Sequence, residues 1–289
     1  MIALAGVAIQ SKIYESSASL VYRGIRVQDE RPLVVKMLKL DYPSPQELTR
    51  YRQEYEITRS LKEEGVIKAY SQQEYQRTLV ILLEDFGGES LEQLMHKRPD
   101  FCPMPLSTFL ELATAITDIL GRIHAANVIH KDINPGNIVL NPNTGVVKII
   151  DFGIATQFSR THPTFKSPHV LEGTLAYLSL EQTGRMNRSL DYRTDFYSLG
   201  VTFYELLTGH LPFPTTDILE LVHCHIAKQS IPPHQLNATI PKPVSDIILK
   251  LMAKNAEERY QSAWGIKADL ELCVHQLEET GRIDSILLR

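Results

Sequence analysis

The pair Gly87-Gly88 separates two parts of the chain that carry different hydrophobic patterns. Before it, residues 19–25, 32–38 and 78–83 are rich in Val, Leu, Ile or Tyr, which predicts three β-strands. Residues 45–62, between the second and third runs, are predicted to form a helix, because Pro45 suits a first turn and apolar residues recur at helical spacing. The front of the chain is therefore predicted to be a small sheet with one main helix.

Beyond the glycines, helical patterns dominate. Predicted helices cover residues 106–126, 195–208, 216–228, 244–253 and 262–279. Two short strands, residues 138–140 and 146–150, flank Asn-Pro-Asn-Thr-Gly, which is typical of a hairpin turn. The whole pattern predicts an α+β fold of two lobes. A small β-sheet lobe would cover residues 1–86, a larger helical lobe residues 87–279, and a tail or linker residues 280–289.

Charge and composition argue against several classes of protein. The 289 residues carry a formal net charge of −4, which gives no reason to expect a nucleic acid or an anionic membrane as partner. Three scattered cysteines are too few for a disulfide framework, so a reducing compartment is expected. No uncharged apolar run approaches the ~20 residues of a membrane helix, and the apolar start lacks the features of a signal peptide. We therefore expect a cytoplasmic protein.

The most informative segment reads Val-Ile-His-Lys-Asp-Ile-Asn-Pro-Gly-Asn and ends at Asn137, and Asp151-Phe-Gly follows fourteen residues later. Mg²⁺ prefers oxygen ligands, usually one or two carboxylates with phosphate oxygens and water. Asp151 and Asn137 are predicted to supply such oxygens. Asp132 is predicted to accept the proton of an attacking hydroxyl, because phosphoryl transfer requires positioning of the nucleophile and neutralisation of phosphate charge. The predicted hairpin would let the residues on either side of it approach each other.

Together, these two motifs resemble the catalytic and metal-binding loops of eukaryotic-like serine/threonine protein kinases. The resemblance implies the bilobal protein-kinase fold, ATP as phosphoryl donor, Mg²⁺ (or Mn²⁺ in its place), and a protein substrate. The overall sequence, notably Glu172-Gly-Thr-Leu-Ala-Tyr and Glu181-Gln-Thr-Gly-Arg-Met-Asn-Arg, is similar to the N-terminal kinase domain of large bacterial signalling proteins. In those proteins an NTPase region, a GAF domain and a sensor histidine kinase follow, so further domains are implied as partners.

The resemblance also implies a nucleotide site in the front part of the chain. Lys36, in Leu-Val-Val-Lys, matches the third-strand lysine that contacts the α- and β-phosphates. Its acidic partner on the next helix is predicted to be Glu54, with Glu56 as the alternative; residues two apart on a helix face different directions. Leu83 matches the gatekeeper, and Glu89 or Ser90 would meet the ribose. The implied nucleotide-binding residues are Ser16, Ser19, Val34, Lys36, Leu83, Glu84 and Phe86, and the implied catalytic residues are Asp132, Lys36 and Glu54.

Two predicted links would build the protein-substrate side of such a domain. Residues 173–181 resemble the end of an activation segment, and Glu181 is expected to form a buried ion pair with Arg259. Asp195 is expected to bond to the backbone of the catalytic loop. Both links are implied by the resemblance and would argue against a phosphotransferase that acts on small molecules.

Three departures from the family pattern leave the function open. Tyr14, Ser16 and Ser19 stand where the phosphate loop has glycines, whose backbone N–H groups approach phosphates closely. Asn134 replaces a lysine that contacts the γ-phosphate, and Lys131 replaces an arginine. The sequence therefore leaves three functions open. The first is an active protein kinase, the second a pseudokinase that only binds nucleotide or partners, and the third a small-molecule phosphotransferase.

Overall fold

The computed structural model describes residues 4–16, 19–39, 42–157, 174–183 and 190–289. The chain forms two compact units. The first contains Met1–Glu89 and Leu140–Gly153, and the second contains Ser90–Val139 and Ile154–Arg289. The first unit is built on a sheet and the second on helices, which confirms the predicted α+β class.

The sheet of the first unit has five antiparallel strands in the order β1-β2-β3-β5-β4. All three predicted strands are present, but the two edge strands, β1 and β4, were not predicted. Edge strands expose much of their surface and tolerate polar residues, so their hydrophobic pattern is weak. The strands are β1 (Val7–Glu15), β2 (Ser19–Arg26), β3 (Arg31–Leu38), β4 (Ala69–Tyr75) and β5 (Thr78–Glu84).

Helix α1 (Pro45–Ser60) confirms the predicted helix and ends two residues earlier than expected. Its start is fixed by a capping box, in which the hydroxyl of Ser44 accepts from the N–H of Glu47 while the Glu47 carboxylate accepts from the N–H of Ser44. Tyr51 and Tyr55 pack against buried residues of the sheet. This packing fixes the side of α1 that faces the sheet.

The predicted hairpin is present and belongs to the first unit from Leu140 onward. Its turn is closed by hydrogen bonds from the N–H of Asn141 to Val146 O (2.9 Å) and from the N–H of Gly145 to Asn141 O (2.9 Å). The N–H of Ile149 also donates to the carbonyl of Gly65 (2.8 Å). These bonds attach the segment that carries Asp151 to the first unit.

Among its described residues, the second unit contains all five predicted long helices, with ends that differ by at most two residues, and two short helices that were not predicted. Within it, Gly200 allows α4 (Arg193–Thr208) to approach α7 (Lys242–Leu251), because a Cβ atom at Gly200 would lie 2.8 Å from side-chain atoms of Leu251 and Met252. No described helix has the length and hydrophobicity needed to span a lipid bilayer. The helices are α2 (Leu91–Lys97), α3 (Leu106–Ala125), α4 (Arg193–Thr208), α5 (Ile218–Ala227), α6 (Pro233–Leu236), α7 (Lys242–Leu251) and α8 (Ala263–Thr280). Short strands after β5 are β6 (Glu89–Ser90), β7 (Val128–Ile129), β8 (Ile138–Leu140), β9 (Val147–Ile149) and β10 (Thr156–Gln157).

Candidate functional site

A buried ammonium group between two carboxylates forms the centre of the first unit's candidate site. Nζ of Lys36, on β3, lies 2.6 Å from Oε1 of Glu54 and 2.9 Å from Oδ1 of Asp151. The side chains of Lys36 and Glu54 are 9% and 7% exposed, whereas the Asp151 side chain is 40% exposed. Glu56 is exposed, so the structure selects Glu54 over the alternative partner. The buried pair therefore lies beside a carboxylate that is partly exposed.

The surroundings keep Lys36 charged. Burial alone would lower the pKa of Lys36, but the charges of Asp151 and Glu54 outweigh it, and the pKa is raised above its usual value. Burial raises the pKa of Glu54 to about 7, and the charge of Lys36 opposes this rise. A permanently protonated amine in this position can neutralise phosphate oxygens.

Two of the predicted nucleotide-contacting side chains share a face of the sheet with Lys36. Val34 and Leu83 are cross-strand partners on β3 and β5, and both are partly buried. Val34 precedes Lys36 by two residues, so both side chains emerge on the same face. The structure thus places Val34, Leu83 and Lys36 together. Their contact with a nucleotide stays a prediction.

The predicted hinge is held by side chains that the sequence did not reveal. Lys148 on β9 donates to Glu84 (2.7 Å), and the Nδ2 group of Asn141 donates to the carbonyl oxygen of Phe86 (2.6 Å). The backbone N–H of Glu84 donates to Lys68 O. Recognition of adenine by Glu84 and Phe86 stays a prediction, and it would require other backbone groups of these residues than the ones bonded here.

The loop between β1 and β2 is closed by its own serines. Oγ of Ser16 accepts from the backbone N–H of Ser19 (3.0 Å), and the N–H of Ser16 donates to Ser19 O (2.9 Å). A phosphate would need backbone donors of this kind. The hydroxyl of Ser16 therefore competes with a bound phosphate for the Ser19 N–H. Tyr14, at the first replaced glycine, is 50% exposed.

The catalytic loop of the second unit is anchored by a buried carboxylate, as predicted. Oδ2 of Asp195 accepts from the N–H of His130 (2.9 Å), and Oδ1 accepts from the N–H of Lys131 (2.7 Å). Burial raises the pKa of Asp195, but the hydrogen bond and charge of His124 and the backbone donor reverse this, and the net pKa is lowered. Asp195 therefore stays ionised and holds the loop from within α4.

Asp132, the predicted proton acceptor, has both carboxylate oxygens oriented by neighbours. Oδ2 accepts from Nδ2 of Asn137 (2.9 Å), and Oδ1 accepts from the backbone N–H of Thr174 (2.8 Å). Nδ2 of Asn137 also donates to the main-chain carbonyl of Asp132 (2.8 Å). Because the amide nitrogen of Asn137 is engaged in this way, its side-chain oxygen is the atom that it can offer to a cation.

Asn134, which replaces the family's lysine, is a nearly buried connector. Its Oδ1 accepts from the N–H of Gly136 (2.9 Å), and its Nδ2 donates to the carbonyl of Asp132 (3.1 Å) and to the hydroxyl of Thr174 (3.2 Å). Asn134 therefore keeps a link to Thr174 but brings no positive charge.

The predicted ion pair between Glu181 and Arg259 is confirmed. Nη1 of Arg259 lies 2.9 Å from Oε1 of Glu181, and the two side chains are 0% and 6% exposed. Arg259 also donates to the main-chain carbonyls of Ala253, Arg193 and Lys254. All nitrogens of its guanidinium therefore have partners. The most distant of these in the sequence, Glu181, is 78 residues away.

The structure brings the predicted site residues into two groups. Lys36, Glu54 and Asp151 meet in the first unit, and Asp132 and Asn137 meet in the second. Ser90, a candidate for the ribose, uses its hydroxyl to cap α2. Glu172, Gly173 and residues 184–188 of the quoted motifs lie outside the described residues. The contact of Thr174 with Asp132 was missed because it joins residues 42 positions apart.

The chain is similar over most of its length to known proteins. The protein kinase domain family matches residues 8–269. The chain is 31% identical over 270 residues to serine/threonine-protein kinase PknL of Mycobacterium bovis. The aligned region covers 93% of this chain and 66% of PknL. It is 32% identical over 253 residues to PknB of Mycobacterium leprae, covering 86% of this chain and 39% of PknB. The chain thus spans less than two thirds of the length of these relatives.

Proposed function

Because this chain belongs to the protein kinase domain family, we propose that it transfers the γ-phosphoryl group of ATP to a Ser or Thr hydroxyl of a protein. The observation that carries the proposal is the orientation of Asp132, whose two carboxylate oxygens are held by Asn137 and by the backbone of Thr174. A carboxylate fixed in this way can receive the proton of an approaching hydroxyl. Relatives named as serine/threonine-protein kinases support the acceptor class.

Each remaining residue takes a role that fits its chemistry. The Lys36 ammonium, fixed by Glu54, would neutralise the α- and β-phosphates of ATP. The carboxylate of Asp151 and the side-chain oxygen of Asn137 are hard oxygen ligands and suit Mg²⁺ or Mn²⁺, which would offset the charge of the phosphates. Val34 and Leu83 would contact adenine, with backbone groups near Glu84 and Phe86. When the acceptor oxygen bonds to the γ-phosphorus, the bond to the β-phosphate oxygen breaks, ADP leaves, and the proton passes to Asp132.

The alternative function is a pseudokinase that binds nucleotide without useful transfer. Two observations favour it: the Ser16 hydroxyl occupies the Ser19 N–H, and Asn134 supplies no cation. The presence of all the proposed base and metal residues argues against a pseudokinase; these are Asp132, Asn137 and Asp151. The Glu181–Arg259 ion pair argues against a small-molecule phosphotransferase.

One experiment separates these functions. The chain is incubated with γ-labelled ATP, Mg²⁺ or Mn²⁺ and a mixture of acceptor proteins, and label is sought on phosphoserine and phosphothreonine. Melting is followed in parallel. ATP should raise the melting temperature more with Mg²⁺ than with EDTA, and Asp151→Ala should abolish the metal-dependent part. Labelled Ser or Thr confirms the kinase. A metal-dependent shift without label identifies the pseudokinase, and equal shifts in wild type and Asp151→Ala refute the metal assignment.

We propose a cytoplasmic signalling role with further domains as partners. This part rests on the similarity of the segment from Glu181 to Arg188 to kinase domains of large bacterial signalling proteins, in which NTPase, GAF and histidine kinase regions follow. Expression of the complete gene product, followed by fractionation, tests both parts.

A further inference from the structure

Gln182 joins the segment 174–183 to the peptide bond that precedes Asp132. Its Nε2 donates to the carbonyl oxygen of Lys131 (2.7 Å). Its Oε1 accepts from both the backbone N–H (3.1 Å) and the hydroxyl (3.2 Å) of Ser179, a fully buried residue. The side-chain amide of Gln182 therefore has partners on both sides. It bridges a fixed residue of the segment and the backbone of the catalytic loop.

The bond to Lys131 matters because of the peptide plane to which it belongs. The carbonyl of Lys131 and the N–H of Asp132 form one rigid planar group. Gln182 holds the carbonyl end, and Nδ1 of His130 lies 3.3 Å from the N–H end. The orientation of this plane sets the direction in which the Asp132 side chain leaves the backbone.

The backbone at this point also needs support. Lys131 has a φ of +69°, in the left-handed region that residues with a Cβ seldom adopt. Asp195 secures its N–H, and Gln182 secures its carbonyl. Without one of these bonds, the loop has a lower-energy backbone conformation open to it, in which Asp132 would point elsewhere.

The other end of the same segment is attached to the same loop. The N–H of Thr174 donates to the Asp132 carboxylate, and the amide of Asn134 donates to the Thr174 hydroxyl. The segment is thus joined to the catalytic loop at both ends, and a neutral amide side chain takes part at each end, Asn134 at one and Gln182 at the other. A neutral amide can make these bonds without adding charge beside the proposed γ-phosphate site.

We infer that Gln182 is a positioning residue for phosphoryl transfer, because it fixes the Lys131–Asp132 peptide plane to the segment 174–183. The orientation of the Asp132 side chain then depends on the position of that segment. The inference rests on the proposed function and deepens it. Gln182 acts through the backbone of Asp132 and contacts neither nucleotide nor the reacting atoms.

Two substitutions at Gln182 separate its two bonds. Gln182→Met is close in size and removes both bonds. Gln182→Glu keeps the acceptor for Ser179 but has no N–H for the Lys131 carbonyl. The matched control is Gln235→Met, the same change at an exposed position of α6.

The first readout is hydrogen exchange of backbone amides followed by mass spectrometry, which needs no activity. Both Gln182 variants should exchange at least tenfold faster than wild type in peptides covering residues 129–137, while peptides of β3 and the control variant stay unchanged. Unchanged exchange in residues 129–137 overturns the inference, whether or not the wild type transfers phosphate.

The second readout is steady-state transfer. In both Gln182 variants kcat should fall about tenfold with KM for ATP unchanged, because the loop would hold Asp132 in the orientation for transfer for a smaller fraction of the time. A Gln182→Glu variant as active as wild type also overturns the inference, because its carboxylate cannot donate to the Lys131 carbonyl. An inactive wild type would refute the proposed function, and the exchange measurement would still decide the role of Gln182.

Discussion

Arg259 is one of the largest fully buried side chains of the described residues, and it carries a charge. Its nitrogens donate to Glu181 and to three main-chain carbonyls, and its guanidinium lies over the Tyr197 ring at 5.1 Å from the ring centre. Arginine suits this place because its planar group has five donors and remains charged when buried. Lysine would offer a single ammonium and could not reach the same set of acceptors.

Replacing Arg259 by Ala should therefore lower the free energy of unfolding by ~3–5 kcal/mol, because the carboxylate of Glu181 would stay buried without its partner. Arg259→Lys should also destabilise, by a smaller amount. Denaturant unfolding measures both. Arg282→Ala, at an exposed arginine, is the control and should change stability by less than ~0.5 kcal/mol. An equally small change in Arg259→Ala would refute the structural role of the ion pair.

His225 gives a pH dependence that can be assigned to one residue. It is buried on α5, with Nδ1 2.9 Å from the Tyr197 hydroxyl. Burial, followed by the charge of Lys254, lowers its pKa from 6.5 to about 4. Between pH 6.5 and about pH 4, His225 is protonated in the unfolded chain but stays neutral in the folded chain. Its contribution to the free energy of unfolding is therefore present above pH 6.5 and is lost as the pH falls toward 4.

Between pH 6.5 and pH 4 this loss should amount to roughly 3 kcal/mol. It is measured as the difference between wild type and His225→Gln in unfolding experiments across that range. The His223→Gln variant, at the exposed neighbour two residues away, should keep the wild-type slope. A wild-type slope in His225→Gln would show that His225 titrates normally in the folded protein.

At the scale of elements, the β1–β2 loop departs most clearly from the family pattern. Its closure depends on hydrogen bonds between Ser16 and Ser19, including the bond from the Ser19 N–H to the Ser16 hydroxyl. Glycine at position 16 would remove that acceptor. The N–H of residue 19 would then be available to a phosphate.

The double substitution Ser16→Gly and Ser19→Gly should therefore tighten ATP binding or raise turnover. It should also lower stability by ~0.5–1 kcal/mol per glycine, because glycine loses more backbone freedom on folding. Calorimetric titration with Mg-ATP and denaturant unfolding measure the two effects. If affinity and rate both fall, the serines themselves bind phosphate and the interpretation of the loop as a weakened phosphate site is wrong.

At the scale of the whole molecule, the sequence predicted what depends on local patterns. The long helices were found within two residues of their ends, because an apolar face repeats every three or four residues. Edge strands β1 and β4 were missed because they expose much of their surface, and α2 is too short to show a repeat. Motifs singled out Lys36, Glu54, Asp132 and Asn137, and the structure joins Lys36 to Glu54 and Asp132 to Asn137; their roles stay predictions.

The bonds that orient those residues could not be predicted in the same way. Gln182 and Lys131 are 51 residues apart, and Lys148 and Glu84 are 64 apart. No periodic pattern links such pairs, and a glutamine or lysine in isolation is most often a surface residue. Only the packed fold shows which groups they reach.

Asp132 is the residue that we propose as the proton acceptor in phosphoryl transfer to a protein hydroxyl. Asp132→Ala should leave the affinity for Mg-ATP within about twofold of wild type and lower the rate of label transfer from γ-labelled ATP to Ser and Thr by about 10²–10⁴-fold, the usual contribution of a positioned acid or base. Asp284→Ala, at an exposed aspartate, should transfer at the wild-type rate. Transfer by Asp132→Ala at the rate of wild type would contradict the claim.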